Sequence, residues 1–119
     1  MDNHNTNLNV KFRLWIEKDN KPVFGDGRYE LLKLIGKTGS INRASKSLKM
    51  SYRKAWGDIQ LMEERLGISL VETKTGGAKG GGAKLTTDAL RILKKYQEFR
   101  KDLDEIVNEK FKEVFDIKI

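Results

Sequence analysis

The chain has 119 residues, 38% hydrophobic and 34% charged, which is enough for one hydrophobic core and too apolar for a disordered segment. It carries no cysteine and a single histidine, His4, in the polar start Met1 to Asn7, so disulfides, thiolate chemistry and sulfur-ligated zinc are excluded and no cofactor is expected. The net charge of +7 is unevenly spread: Arg28 to Lys95 holds fifteen basic against six acidic residues, leaving −2 for the remainder. A concentrated positive field of this kind fits a nucleic-acid partner.

Residues 1–7 read as a disordered tail without a signal-peptide pattern, and no apolar run is long enough for a bilayer. A cytoplasmic address is therefore expected, with no membrane partner. From Leu8 to Lys18 apolar residues alternate, with Val10, Phe12, Leu14 and Ile16 on one face and Lys11, Arg13, Trp15 and Glu17 on the other. This period predicts one half-buried strand. Asp19 to Pro22 has turn chemistry, and Asp26 is a candidate N-cap for a first helix with Leu31, Leu32, Leu34 and Ile35 as its apolar stripe. Gly39 suits the left-handed residue that ends it.

Ser40 then caps a short second helix that buries Ile41, Ala44 and Leu48 and leaves Asn42, Arg43 and Lys46 outside. Ser51 caps a third, running to about Arg65, on which Ala55, Ile59, Met62 and Leu66 fall in one arc at 100° per residue. Two capped helices joined by a short turn form the helix-turn-helix pattern. A strand from Ile68 to Lys74, a glycine-rich loop from Thr75 to Ala83 and a return through Lys84 and Leu85 predict a hairpin wing. The loop is not a phosphate-binding loop, because Ala83 and Lys84 stand where that motif needs lysine and then serine or threonine. Thr86 or Thr87 caps a last helix of about 30 residues, roughly 45 Å long. Its stripe includes Leu93, Tyr96, Phe99, Leu103 and Ile106, more than so small a domain can cover, which predicts a homodimer through this helix.

The fold class expected is mainly α with a small β component: a winged helix-turn-helix with a three-helix core, a hairpin wing and an N-terminal strand, plus a long C-terminal dimerisation helix. The DNA-binding unit would cover 8–85 and the dimerisation helix 86–115. On the third helix, Arg53, Gly57 and Gln60 lie opposite the buried arc, Lys54 and Trp56 flank them, and Tyr52 reaches from the first turn. Arginine can pair bidentately with guanine and glutamine with adenine, while lysine suits phosphate, so double-stranded DNA is the partner these residues fit. The amides beneath Ser51 add a phosphate site at the helix N-terminus. Gly57 costs about 1 kcal/mol against alanine in a helix interior, which points to close backbone approach by a partner. Ser40, Asn42 and Arg43 on the second helix, and Lys74, Thr75, Lys79 and Lys84 on the wing, complete the expected DNA surface. The alternative function is a winged-helix protein-interaction module with incidental DNA affinity; no cluster of histidine, cysteine or paired carboxylates supports an enzyme.

Gly39-Ser40-Ile41-Asn42-Arg43-Ala44, Met50-Ser51-Tyr52-Arg53-Lys54-Ala55-Trp56, Leu70-Val71-Glu72 and the glycine wing closed by Leu85-Thr86 together resemble the N-terminal DNA-binding domain of the molybdate-responsive ModE family, itself similar to LysR-type winged helices. The resemblance implies a transcriptional regulator that binds an inverted-repeat operator as a dimer held by its last and first helices and is linked to molybdate transport or metabolism. The paired molybdate-binding domains of that family do not fit in 119 residues, so the resemblance does not extend molybdate sensing to this chain.

Overall fold

The computed structural model describes residues 8–74 and 82–116. An antiparallel hairpin of β1 (Trp15–Lys18) and β2 (Lys21–Gly25) comes first, followed by the helices α1 (Asp26–Thr38), α2 (Ile41–Ser47) and α3 (Tyr52–Leu66). A second antiparallel pair, β3 (Val71–Lys74) and β4 (Gly82–Leu85), leads into α4 (Thr87–Phe115). This is the winged helix-turn-helix arrangement with a long terminal helix, mainly helical as expected.

The N-terminal region differs from the single strand that the alternation predicts. Only Trp15–Lys18 enters a sheet, and its partner β2 includes Pro22, which the composition had placed in a turn. The turn is confined to Asp19 and Asn20, at φ 53° and 64°, left-handed values that suit a two-residue hairpin. Proline is tolerated in β2 because a two-stranded sheet leaves every second amide without a ladder partner. Residues 8–14 keep their alternation, with Leu8, Val10, Phe12 and Leu14 half-buried, but α4 side chains replace a neighbouring strand. The Val10 amide donates to Asn108 Oδ1 at 2.8 Å, and Arg100 Nη2 donates to the Phe12 carbonyl at 2.7 Å. Ile16, expected on the buried face, is exposed beyond a register irregularity between Ile16 and Glu17.

Gly25, not Asp26, occupies the N-cap of α1. A Cβ at Gly25 would lie 2.5 Å from the Leu14 carbonyl oxygen and 2.8 Å from the Trp15 Cα, both backbone atoms that cannot step aside alone. Gly25→Ala is accordingly expected to destabilise the domain by about 2 kcal/mol through overpacking, measurable by urea unfolding. An unchanged midpoint would show that the hairpin can move away freely.

Local signals elsewhere set the helix ends. Gly39 adopts φ 71° and donates its amide to Ile35, closing α1. Ser40, Ser51 and Thr86 each accept from the amide three residues on, at 3.0–3.1 Å, starting α2, α3 and α4. Leu31, Leu32, Ile35, Ile41, Ala44, Ala55, Ile59 and Met62 form the three-helix core. Leu66, expected in that arc, is 37% exposed, since Gly67 ends α3 in a left-handed turn immediately after it. The third strand begins at Val71 rather than Ile68, because the amides of Leu70 and Val71 donate to the Glu63 carboxylate instead of a ladder. No described helix is long and apolar enough to cross a membrane.

Candidate nucleic-acid interface

Packing of Ala55, Ile59 and Met62 into the core orients α3, so the opposite side of that helix is presented outward. Arg53 and Gln60 are exposed there, and Tyr52 is 50% exposed in the first turn. Trp56 is half-buried, packs against the core, and meets the Tyr52 ring edge-on with centroids 6.3 Å apart. Among the described residues, nothing beyond α3's own adjacent backbone approaches within 4 Å of a Cβ built on Gly57, so their packing does not account for the glycine. The Ser51 hydroxyl is engaged in capping, as is that of Ser40, while Asn42 and Arg43 remain exposed on α2.

The wing is joined to this surface by backbone. Ala83 donates its amide to the Gly39 carbonyl at 2.9 Å, which sets β4 against the turn that starts α2. Gly36 permits the approach, since a Cβ there would come within 2.7 Å of the buried Leu85. Lys74 and Lys84 are exposed on β3 and β4, with Lys84 opposite Glu72 in the register. Thr75 and Lys79 lie outside the described residues.

Lys54, expected to point at phosphate, donates from Nζ to both oxygens of Asp58 at 3.2 and 3.3 Å. Arg28 Nη2 lies 3.6 Å from the same carboxylate. The spacing of Lys54 and Asp58 was legible as a one-turn helical pair, whereas the reach of Arg28 from α1 had no local signature. The Asp26 knot was also missed: its carboxylate accepts from Tyr96, Arg100 and the Leu14 amide. Tyr96, expected on a dimer surface, is only 5% exposed and packs against Phe24 and Tyr29, so it belongs to the core of the single chain. Leu93 and Leu103 are half-buried, while Phe99 and Ile106 are 49% and 60% exposed. Among the described residues no group of three or more histidine, cysteine, aspartate or glutamate side chains could hold a metal ion.

Comparison with known proteins agrees with this architecture. The chain is 40% identical over 88 residues to the transcriptional regulator ModE of Haemophilus influenzae, covering 74% of this chain and 34% of that protein. It is 36% identical over 106 residues to the molybdenum transport protein ModE of Azotobacter vinelandii, covering 86% and 39%. A match to the DNA-binding transcriptional dual regulator ModE of Escherichia coli K12 is 41% identical over 75 residues, covering 62% and 29%. The chain thus spans between 29% and 39% of the length of these relatives. Among solved structures, CbnR_DBD in its DNA complex superposes with a TM-score of 0.56 at 18% identity, covering 71% of this chain and 91% of that one. BenM_DBD bound to catB site 1 DNA gives 0.55 at 19% identity, covering 75% and 93%. These two likenesses establish the winged-helix fold. The model of the family described as bacterial regulatory helix-turn-helix protein, lysR family, matches residues 28–90, more than half of the chain, and the chain belongs to that family, with a winged helix-turn-helix domain of the ModE-like kind.

Proposed function

We propose that this chain is a sequence-specific, DNA-binding transcriptional regulator that acts in the cytoplasm, binds an inverted-repeat operator as a homodimer, and controls genes of molybdate transport or metabolism. The observation that carries the reading is the outer side of α3, where Arg53 and Gln60 are exposed around a glycine that no contact among the described residues requires. A helix backbone bare at Gly57 can come close to base edges, with the guanidinium and amide placed for guanine and adenine. Exposed Arg43, Lys74 and Lys84 supply phosphate contacts around it. In this reading residues 8–85 contact DNA and residues 86–115 join two copies, placing the paired reading helices about 34 Å apart on successive major grooves. The relatives named ModE support the link to molybdenum.

The test separates reading from holding. Arg53→Ala is expected to relax sequence preference, costing about 1–3 kcal/mol on the selected operator and little on random duplex. Lys84→Ala is expected to weaken both duplexes alike and to lower the salt slope by about 1. Equal losses from both substitutions on both duplexes would refute the assignment. Failure of any preferred sequence to emerge from selection would favour a protein-docking module instead.

A further inference from the structure

A carboxylate on a helix that approaches DNA works against binding unless its charge is matched. Asp58 is such a group, one turn along α3 from Lys54, and its side chain is largely covered at 14% exposure. Its two cationic partners are held very differently. Lys54 is 63% exposed, and lysine placed before the acid along a helix is the weaker order for such a pair. Arg28 is 18% exposed, and its Nη1 donates to the carbonyls of Pro22 and Val23 at 3.0 Å each, which fixes the guanidinium against β2. Lys54 can therefore swing away while Arg28 stays.

We infer that Arg28 sets the affinity for the phosphodiester backbone as a positioning residue: it balances Asp58 so that Lys54 can leave that carboxylate for a DNA phosphate. Without Arg28, the same movement would strand a mostly covered negative charge beside a polyanion, and Lys54 would be retained. With Arg28 in place, Lys54 exchanges one anionic partner for another while Asp58 keeps a cation. The inference rests on α3 being the DNA-contacting helix and assigns Arg28 a part in binding that needs no contact with DNA.

The experiment is a salt series of affinities for a random-sequence duplex, with thermal unfolding of every variant alongside. Lys54→Ala should lower the slope of log affinity against log salt by about 0.9, one phosphate contact. Arg28→Met should lower it by a similar amount and weaken binding about threefold to tenfold. Adding Asp58→Asn to Arg28→Met should restore the slope, because Lys54 is then no longer retained. In the Lys54→Ala background, Arg28→Met should lower the slope no further, because no Lys54 phosphate contact is left to lose, which separates this coupling from the general weakening that an unmatched Asp58 causes. Should Arg28→Met fail to fold, Asp58→Asn alone must raise affinity with Lys54 present and have no effect once Lys54 is alanine.

An equal effect of Arg28→Met on the slope with and without Lys54, a double variant with the same lowered slope as Arg28→Met, or an unchanged slope in Lys54→Ala would each overturn the inference. A wild-type chain with no salt-dependent affinity for duplex would instead remove the DNA reading on which it rests.

Discussion

Asp26→Ala is expected to lower the free energy of unfolding by about 3 kcal/mol and the melting temperature by about 10 °C. The carboxylate ties together three parts of the chain that are distant in sequence. Tyr96 donates its hydroxyl at 2.6 Å, Arg100 donates from Nε at 3.0 Å and Nη2 at 3.1 Å, and the Leu14 amide donates at 3.1 Å. Removing it leaves the Tyr96 hydroxyl with an unmet donor in a covered setting, which costs about 1–3 kcal/mol. Arg100 keeps Asp104 and the Phe12 carbonyl, so its loss is partial. A fall of less than a degree in thermal unfolding would mean that the knot is decorative.

The same group gives the fold a defined response to pH. Burial pushes the Asp26 carboxyl upward, but the hydrogen bonds from Tyr96, Leu14 and Arg100, with the arginine charge, outweigh it and leave the group below its ordinary value. Its contribution is therefore present above the unfolded carboxylate pKa of about 4 and is lost as pH falls through the depressed folded value. Tyr96 shifts the other way, raised by burial first and by Asp26 second. Its contribution is complete below the ordinary tyrosine pKa of about 10 and is lost as pH rises through the raised folded value. Asp26→Asn should thus flatten the acid side of the stability profile in addition to lowering the plateau.

Features encoded within a few residues were legible in the sequence. The caps at Ser40, Ser51 and Thr86 and the left-handed turn at Gly39 each depend on one side chain or one missing Cβ beside its helix. Alternation in residues 8–14 correctly indicated one half-buried face but could not name its cover, since period two describes a pleat and not its neighbour. That cover comes from Arg100 and Asn108, 88 and 98 residues away from Phe12 and Val10, and no local pattern carries such a pairing. Tyr96 illustrates the same limit on α4. Its helical spacing placed it on the apolar stripe, but spacing does not distinguish burial against the chain's own Phe24 from burial against a second copy. On α3 the outward side followed from the helical projection alone, whereas the part played by Arg28 depends on how β2 and α1 come together.

The distinction at Tyr96 also directs the test of the proposed dimer. A double change, Phe99→Glu with Ile106→Glu, is expected to yield a folded monomer whose affinity for a two-half-site operator is lower by about 10²–10⁴. Phe99 and Ile106 are seven residues apart, on one side of α4, and each remains about half exposed or more in the single chain. With two-fold symmetry each position meets its counterpart's surface, so four new carboxylates enter the shared interface and repel one another. Because neither residue supports the core, unfolding of the monomer should change by no more than about 0.5 kcal/mol per substitution. The affinity falls through loss of linkage: two joined domains hold the second half-site at high effective concentration, and separated domains do not. Binding to a single half-site should consequently stay as it was. Sedimentation equilibrium and titration of one-site and two-site duplexes read these effects separately. A variant that remains dimeric with full two-site affinity would place the interface away from the Phe99 and Ile106 side of α4.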